Sequence, residues 1–327
     1  MTKIAICGDI HLNLRNPKLF DWERDRFIAV FKTLAASDAD TVVLSGDIVD
    51  RPKVTLDEIS TFYEGINLLN YAGKNVYVIA GNHEVLDKET TTFSHLPEKG
   101  YTYLHEPKLL TIEGVDLHLV GHNKIHEIEN LQISKKKCSI LISHYRSDIG
   151  VASEEVDNDY VSKTFSDTIL SDIHYRLEPR YNIQYTSSPY GIHYTPKKAY
   201  GYITLTINKG DYFTDFVELH LPSKIKLSVN LEDFEDTLDL LDDNNYYNLD
   251  IKGEATNSML NAIKEHTCID KFSFQLTEVD EEIVNIADTI LEESKNSIAE
   301  IIAFTLEDMG LTEKQLNKTN KLLLELL

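Results

Sequence analysis

Apolar positions along the chain fall into short unbroken runs that alternate with longer periodic ones. "KIAICG" (residues 3–8) is a compact apolar run closed by Gly and predicts a buried strand. "WERDRFIAVFKTLAAS" then places Trp22, Phe27, Phe31 and Leu34 at helical spacing. "DTVVLSGD" predicts a second strand ending in Gly-Asp. In "LDEISTFYEGINLLNYAG", Ile59, Phe62, Tyr63, Ile66 and Leu69 share one helix face, and Gly73 is the expected stop. "NVYVIAGNH" predicts a third strand, ending in Gly-Asn-His. Strand, helix, strand, helix, strand is the pattern of an α/β sheet.

From about residue 107 the pattern changes. "KLLTIEGVDLHLVG" predicts a hairpin turning near Glu113-Gly114, and "YGYITLTINKGDYFTDFVELHL" another around Asn208–Asp211. "CSILISH" between them is a further buried strand, and antiparallel strands are expected to complete the domain. Pro222 and Ser223 suggest a boundary. Beyond it, "LEDFEDTLDLL", "YYNLDIKG", "SMLNAIKEH" and "KFSFQLTE" alternate helix and strand, as in a small α+β unit. The end of the chain carries helical stripes, such as Ile283, Ile286, Ala287, Ile290 and Leu291. The expected division is 1–222, 223–280 and a helical segment 281–327.

Charge changes this picture more than composition does. A net charge of −22 argues against unaided, non-specific nucleic-acid binding. It leaves room for an enzyme whose bound cations, or whose partner, supply the positive charge. Cys7, Cys138 and Cys268 are odd in number and scattered, so neither a disulfide framework nor a CxxC metal pair is expected. A reducing cytoplasm is the simplest home. The sequence has no apolar run long enough for a membrane span, and "MTKIAICGDI" reads as a strand rather than a signal peptide.

The chemistry lies where the strands end. Three consecutive strands close on Gly8-Asp9, Gly46-Asp47 and Gly81-Asn82, and a fourth on His144. The pair Asp-Ile-His occurs twice, at residues 9–11 and at 172–174. Ligand sites of open α/β sheets lie at the carboxyl ends of strands. Each pair alone reads as an ordinary turn; five in order, each after an apolar run, point to one metal site. All the donors are oxygen or imidazole, which suits Mn²⁺, Mg²⁺, Fe or Zn²⁺, with Mn²⁺ favoured.

This order, "GDIH", "GDIVDR", "GNHE", a lone His and a paired site, resembles the calcineurin-like metallophosphoesterases over about residues 3–205. Within them, "SDIHYRLEPRYNIQYTSSP" resembles the SbcD/Mre-eleven type of DNA repair nuclease. Length and a small α+β cap are similar to those of the phage recombination endonuclease subunit. The resemblance implies a sandwich of two mixed β-sheets flanked by helices, followed by an α+β capping domain with a helical C-terminus. It implies two divalent cations, Mn²⁺ foremost and Mg²⁺ tolerated. One would be held by Asp9, His11, Asp47 and His174, the other by Asp47, Asn82, His144 and Asp172. Asp172 is a departure, because the family usually has His there; the alternative is that Asp172 does not bind metal.

The implied reaction is hydrolysis of DNA phosphodiesters, exo- or endonucleolytic, in double-strand-break processing and recombination. His83 would assist the leaving group, and Asp50 would hold the His83 ring. Candidates for DNA contact are Arg51, Arg15 and Arg176, with Lys18, Lys135–Lys137, Arg180 and Lys197–Lys198 as further basic positions. The implied partners are DNA, an SbcC/Rad-fifty-like coiled-coil ATPase docking on residues 281–327, and a second copy of the chain. The alternative is a phosphomonoesterase or protein phosphatase of the same superfamily. Pro52 after Arg51, where phosphatases carry Gly, weighs against it.

Overall fold

Strands that are apolar at every position need cover on both faces, so they are stable only between layers. The computed structural model, which describes residues 1–87, 90–134, 138–147, 156–253 and 256–275, meets that need with two facing sheets. In chain order the elements begin β1 (Thr2–Cys7), α1 (Phe20–Ala36), β2 (Thr41–Ser45), α2 (Leu56–Tyr71), β3 (Asn75–Ile79) and β4 (Thr102–Tyr103). They continue with β5 (Lys108–Ile112), β6 (Val115–Val120), β7 (Ser139–His144), α3 (Asn158–Thr164), β8 (Asp167–Ser171) and β9 (Ile183–Tyr185). Then come β10 (Gly201–Asn208), β11 (Asp211–Glu218), β12 (Lys224–Asn230), α4 (Phe234–Asp239), β13 (Tyr246–Lys252), α5 (Asn257–Glu265) and β14 (Ile269–Gln275).

One sheet runs β11-β10-β1-β2-β3-β4 and the other β5-β6-β7-β8-β9. Alternation along β1 sorts its side chains. Ile4 and Ile6 face the second sheet and meet Leu117, Leu119, Ile140, Ile142 and Ile169. Ala5 and Cys7 face α1 and α2 and join Phe27, Phe31, Leu34, Phe62 and Ile66. Helix α2 starts on a capping box, Thr55 and Glu58 satisfying each other's backbone donors, and stops just before Gly73, whose φ is +74°.

Both hairpins lie at the expected turns, with Glu113-Gly114 and Lys209-Gly210 in the left-handed region. One expectation is corrected. The strands after the first hairpin do not stay antiparallel: β6, β7, β8 and β9 are all parallel. The residues between these strands include a 3₁₀ stretch at 122–130 and α3, long enough for crossovers, and a parallel neighbour requires a crossover. As a result β1, β2, β3, β7 and β8 all deliver their carboxyl ends to one edge of the sandwich. Ser45 Oγ meets Ser171 Oγ at 2.6 Å, tying the two sheets at that edge.

Beyond Pro222, β12, β13 and β14 form a separate parallel sheet with α4 and α5 as its crossovers. Its own core holds Val229, Phe234, Leu249, Ile251 and Ile263. Polar contacts join it to the sandwich: Trp22 Nε1 donates to the Asn244 carbonyl at 2.7 Å, and Lys18 reaches Asp270 at 3.3 Å. The helical stripes expected at 281–327 lie outside the described residues.

A buried charged cluster anchors α1 to the loop behind the strand ends. Arg26 is 2% exposed and pairs with Glu23, which also binds Lys224 Nζ at 2.7 Å. The guanidinium donates to the Gly191 carbonyl at 3.1 Å and lies between the rings of Trp22 and Tyr190. Tyr190 in turn donates to the carbonyl of Ile10, inside the first Asp-Ile-His. Removing one member of a buried ion pair strands the other, at a cost of about 3–5 kcal/mol. Arg26→Met is therefore expected to lower unfolding stability by about that amount, read by urea denaturation. A change below about 1 kcal/mol would show that the cluster is not an anchor.

Candidate metal centre

The strand ends turn through conformations that most residues avoid. Asp9, His11, Asp47 and Asp172 have φ of 53°, 51°, 51° and 101°. Left-handed backbone at non-glycine residues persists only where surrounding structure enforces it, and it gathers at functional sites. Backbone rungs supply the enforcement here. Asp9 N donates to Gly46 O at 3.0 Å, His11 N to Asp47 O at 2.9 Å and Leu12 N to Ile48 O at 2.9 Å. Two glycines let the chain pass this closely. A Cβ on Gly46 would lie 2.5 Å from His144 Nδ1, and one on Gly81 would lie 2.1 Å from Asp47 Oδ1.

Glu84 braces the same turn from beneath. It is fully buried, and its carboxylate accepts four backbone N–H groups: Asp47 at 2.9 Å, Ile48 at 2.7 Å, Val49 at 3.0 Å and Gly81 at 2.7 Å. One side chain thus joins the loop after β2 to the loop after β3.

Asp47 is the hub. Its Oδ1 accepts the backbone N–H of His83 at 2.9 Å. Its Oδ2 lies 3.4 Å from His11 Nε2, 3.4 Å from His144 Nε2 and 3.9 Å from His83 Nε2. Asp9 Oδ1 is 3.8 Å from His174 Nε2. Ligand atoms of Asp9, His11, Asp47 and His174 all lie within 4.8 Å of one another. Asn82 Oδ1 and His144 Nε2 are 3.0 Å apart. The Ser45 carbonyl, 2.9 Å from His144 Nδ1, accepts the Nδ1 proton and so turns Nε2 toward Asp47.

Several like charges in one buried space cannot all persist. Burial, with Asp47 and Asp172 adding to it, pushes Asp9 up to about 8 against the pull of His144. Burial would raise Asp47 too, but His144 and His11 outweigh it and hold that carboxylate below its usual range. His144 itself resists burial because Asp47 is so close, and is pushed up to about 10. His174, buried beside His11 and His193, is pushed down to about 3 and stays neutral.

The donors fit divalent cations. Both ring nitrogens of His11 are buried without a hydrogen-bond partner, and an unsatisfied buried polar atom is costly. Asn82 turns its amide oxygen toward the Asp47 carboxylate, so acceptor faces acceptor; flipped, the amide nitrogen would donate to that carboxylate at 3.1 and 3.2 Å. A cation among these groups resolves both conflicts, and the hard oxygen and imidazole donors suit Mn²⁺ or Mg²⁺ better than a thiophilic ion.

Three expectations are changed by the geometry. Asp172 is adjacent to the cluster, its N–H donating to both Asp9 oxygens at 3.1 Å, but its carboxylate is engaged by Arg146 at 2.7 and 3.2 Å. Asp50 does not hold His83 through its carboxylate: the backbone carbonyl of Asp50 meets His83 Nδ1 at 2.7 Å. The Asp50 carboxylate instead sits 3.6 Å from His11 Nδ1 and accepts from Asn13 at 2.8 Å. Arg176 spends its guanidinium inside the fold, donating to Tyr185 O at 3.3 Å and covering the Phe216 ring. Arg51 is 61% exposed beside Asp50, and Arg15 binds the Lys53 carbonyl, so both stay at the surface near the centre. Lys135–Lys137 lie outside the described residues. His193 stacks near His174, with ring centroids 5.4 Å apart, and His122 lies against the His144 carbonyl at 3.1 Å. Two important residues carry no role in the sequence reading, Glu84 and Arg146. The first ends "GNHE" and was visible as part of that motif; no local signal marks the second.

Glu84→Ala would leave four buried amides unpaired, each worth about 1 kcal/mol or more. The expected loss is roughly 4 kcal/mol of stability or more, together with weaker Mn²⁺ binding, read by urea denaturation and calorimetric titration. Unchanged metal binding in a folded Glu84→Ala protein would remove Glu84 from the support of the centre.

Residues 2–193 match the family model described as calcineurin-like phosphoesterase. The DNA double-strand break repair protein Mre11 of Nanoarchaeum equitans is 31% identical over 114 residues, covering 31% of this chain and 32% of that protein. The match thus spans about a third of that relative's length. Among solved structures, a dimetal phosphatase from Danio rerio aligns over 65% of this chain and 98% of its own, at 10% identity and a TM-score of 0.42. A cold-active protein tyrosine phosphatase aligns over 65% of this chain and 78% of its own, at 14% identity and a TM-score of 0.35. With the family model matched over more than half of its length, the chain belongs to the calcineurin-like phosphoesterases.

Proposed function

We propose that this chain is a two-metal DNA phosphodiesterase, the nuclease subunit of a system that processes double-strand breaks for recombination. The observation that carries the reading is the convergence of Asp9, His11, Asp47 and His174 within 4.8 Å, with Asn82 and His144 around the same Asp47 carboxylate. One divalent cation would be held by the first four residues. A second would be held by Asp47, Asn82 and His144, with Asp172 at its edge. When bound, two such ions draw charge from the phosphate oxygens and make water a strong nucleophile at neutral pH. Mn²⁺ is the favoured ion and Mg²⁺ the next.

The protein's own part is orientation and proton handling. His83 donates from Nδ1 to the Asp50 carbonyl, so Nε2 is the atom that exchanges a proton with the reacting group. That Nε2 faces Asp47 at 3.9 Å, and the side chain is 36% exposed, at the mouth of the centre. It is placed to protonate a departing alkoxide. Asp50 acts on His11, whose ring it faces, and thereby positions a ligand.

The DNA substrate is supported by the relative named as a double-strand break repair protein. A net charge of −22 gives the chain little electrostatic reach toward DNA. The reading therefore includes an SbcC-like ATPase partner, engaged through residues 281–327, and a pair of nuclease subunits. Residues 1–222 form the nuclease domain and 223–280 the cap. Arg15 and Arg51 are the candidate phosphate contacts at the rim.

The deciding experiment is degradation of end-labelled duplex DNA with Mn²⁺, beside hydrolysis of p-nitrophenyl phosphate. His83→Ala is expected to lose about 10²- to 10⁴-fold in duplex cleavage while keeping its manganese content. Cleavage of the small ester with none of the duplex would replace the nuclease by a phosphomonoesterase.

Metal uptake should also be pH-dependent. Asp9, at about 8, and His144, at about 10, hold protons at neutrality in the metal-free centre, and both must shed them to ligate. Mn²⁺ affinity is expected to rise with pH from 6 through 8, with protons released to the buffer. Calorimetry in buffers of different ionisation enthalpy measures that release, and a pH-independent affinity would exclude these two residues as ligands.

A further inference from the structure

We propose that Arg146 makes the two cation positions unequal, because its guanidinium competes with the second cation for the carboxylate of Asp172. The proposal rests on the two-cation reading of the centre and adds to it an order of filling.

The geometry is that of a fork on a carboxylate. Arg146 Nε lies 2.7 Å from Asp172 Oδ2, and Nη2 lies 3.2 Å from Oδ1, so both oxygens are engaged. Paired N–H···O bonds of this kind are the strong form of the Arg–carboxylate contact. The backbone of Asp172 has little freedom to compensate. Its N–H is held by both oxygens of Asp9, and its φ is 101°. Only the orientation of the carboxylate remains to be decided, between guanidinium and cation.

Charge separates the two positions. The first has the carboxylates of Asp9 and Asp47 among its donors, and the described contacts of both are amides, imidazoles and the Asn82 amide rather than a guanidinium. The second shares Asp47, takes its other donors from the Asn82 amide and the His144 imidazole, and has its remaining carboxylate neutralised by Arg146. A divalent ion arriving there meets a resident positive charge and must displace it to gain Asp172. The side chain of Arg146 is 42% exposed and borders a cleft of about 270 Å³, lined also by His174, Tyr175 and His193. The centre would therefore fill one cation first and the second only at higher concentration.

The test is titration of Mn²⁺ into the metal-stripped full-length protein, followed by calorimetry and by the electron paramagnetic resonance signal of a coupled manganese pair. Neither readout uses DNA, so failure of the nuclease reading would leave the result intact. Wild type is expected to bind in two separated steps. Arg146→Gln and Arg146→Met should leave the first step in place and bring the second to lower Mn²⁺ by about tenfold or more, the scale on which a neighbouring charge shifts an ionic equilibrium. Arg146→Lys keeps the charge but not the fork, and its second step should fall between wild type and the neutral variants. The first step and a melting curve report folding independently of the second step. The proposal is overturned if both neutral variants leave the second step where it was. It is equally overturned if that step weakens or disappears, since Arg146 would then be holding Asp172 in place for the metal. A single manganese in wild type and in every variant would remove the two-cation reading itself.

Discussion

An ionised carboxylate in the interior is the constraint on which the site depends. Asp47 is 1% exposed, and a charge taken out of water must be met by comparable interactions or it neutralises. Three imidazoles and one backbone amide are gathered around it, drawn from the ends of β1, β3 and β7. Parallel strands make this gathering geometrically simple, since each delivers its carboxyl end to the same edge. The left-handed turns at Asp9, His11 and Asp47 are the local cost of pointing those side chains inward, and the amide ladder and Glu84 hold that cost in place.

Much of this could be read from the sequence because it is local. A buried strand followed by Gly and an acid is a contiguous signal, and its repetition in order carries the rest. Hairpin turns were legible for the same reason: Glu113-Gly114 and Lys209-Gly210 are the residues that accept positive φ. The features that escaped are those set by residues meeting across the fold. Asp50 and His83 are 33 positions apart, and no pattern tells whether a carboxylate or a carbonyl will face the ring. Arg146 finds Asp172 across 26 residues, on the neighbouring parallel strand end. The parallel course of β6 to β9 depends on what joins the strands, which apolar periodicity does not report.

The unit built on β12, β13 and β14 bears on the centre through the first helix. Lys224 at the start of β12 shares Glu23 with Arg26, Arg26 packs on Tyr190, and Tyr190 holds the carbonyl of Ile10. Each link is a buried or half-buried polar contact, and such networks act as a unit more than as separate bonds. A shift of this sheet against the sandwich would therefore be felt at the backbone of the first Asp-Ile-His pair. That coupling runs through named atoms rather than through proximity alone.

Cations at this centre would serve stability and chemistry by the same contacts. Without them, Asp9 and Asp47 confront each other while both are buried, and one settles the conflict by retaining a proton. With them, the carboxylates are ionised, the nitrogens of His11 acquire a partner and the Asn82 oxygen has a reason to face inward. Ligands that bind only the native state stabilise it by mass action. The residues that suffer most from being buried are thus the ones that would hold the ions, and the strain of the folded protein is directed at the point where charge on a phosphate would be met.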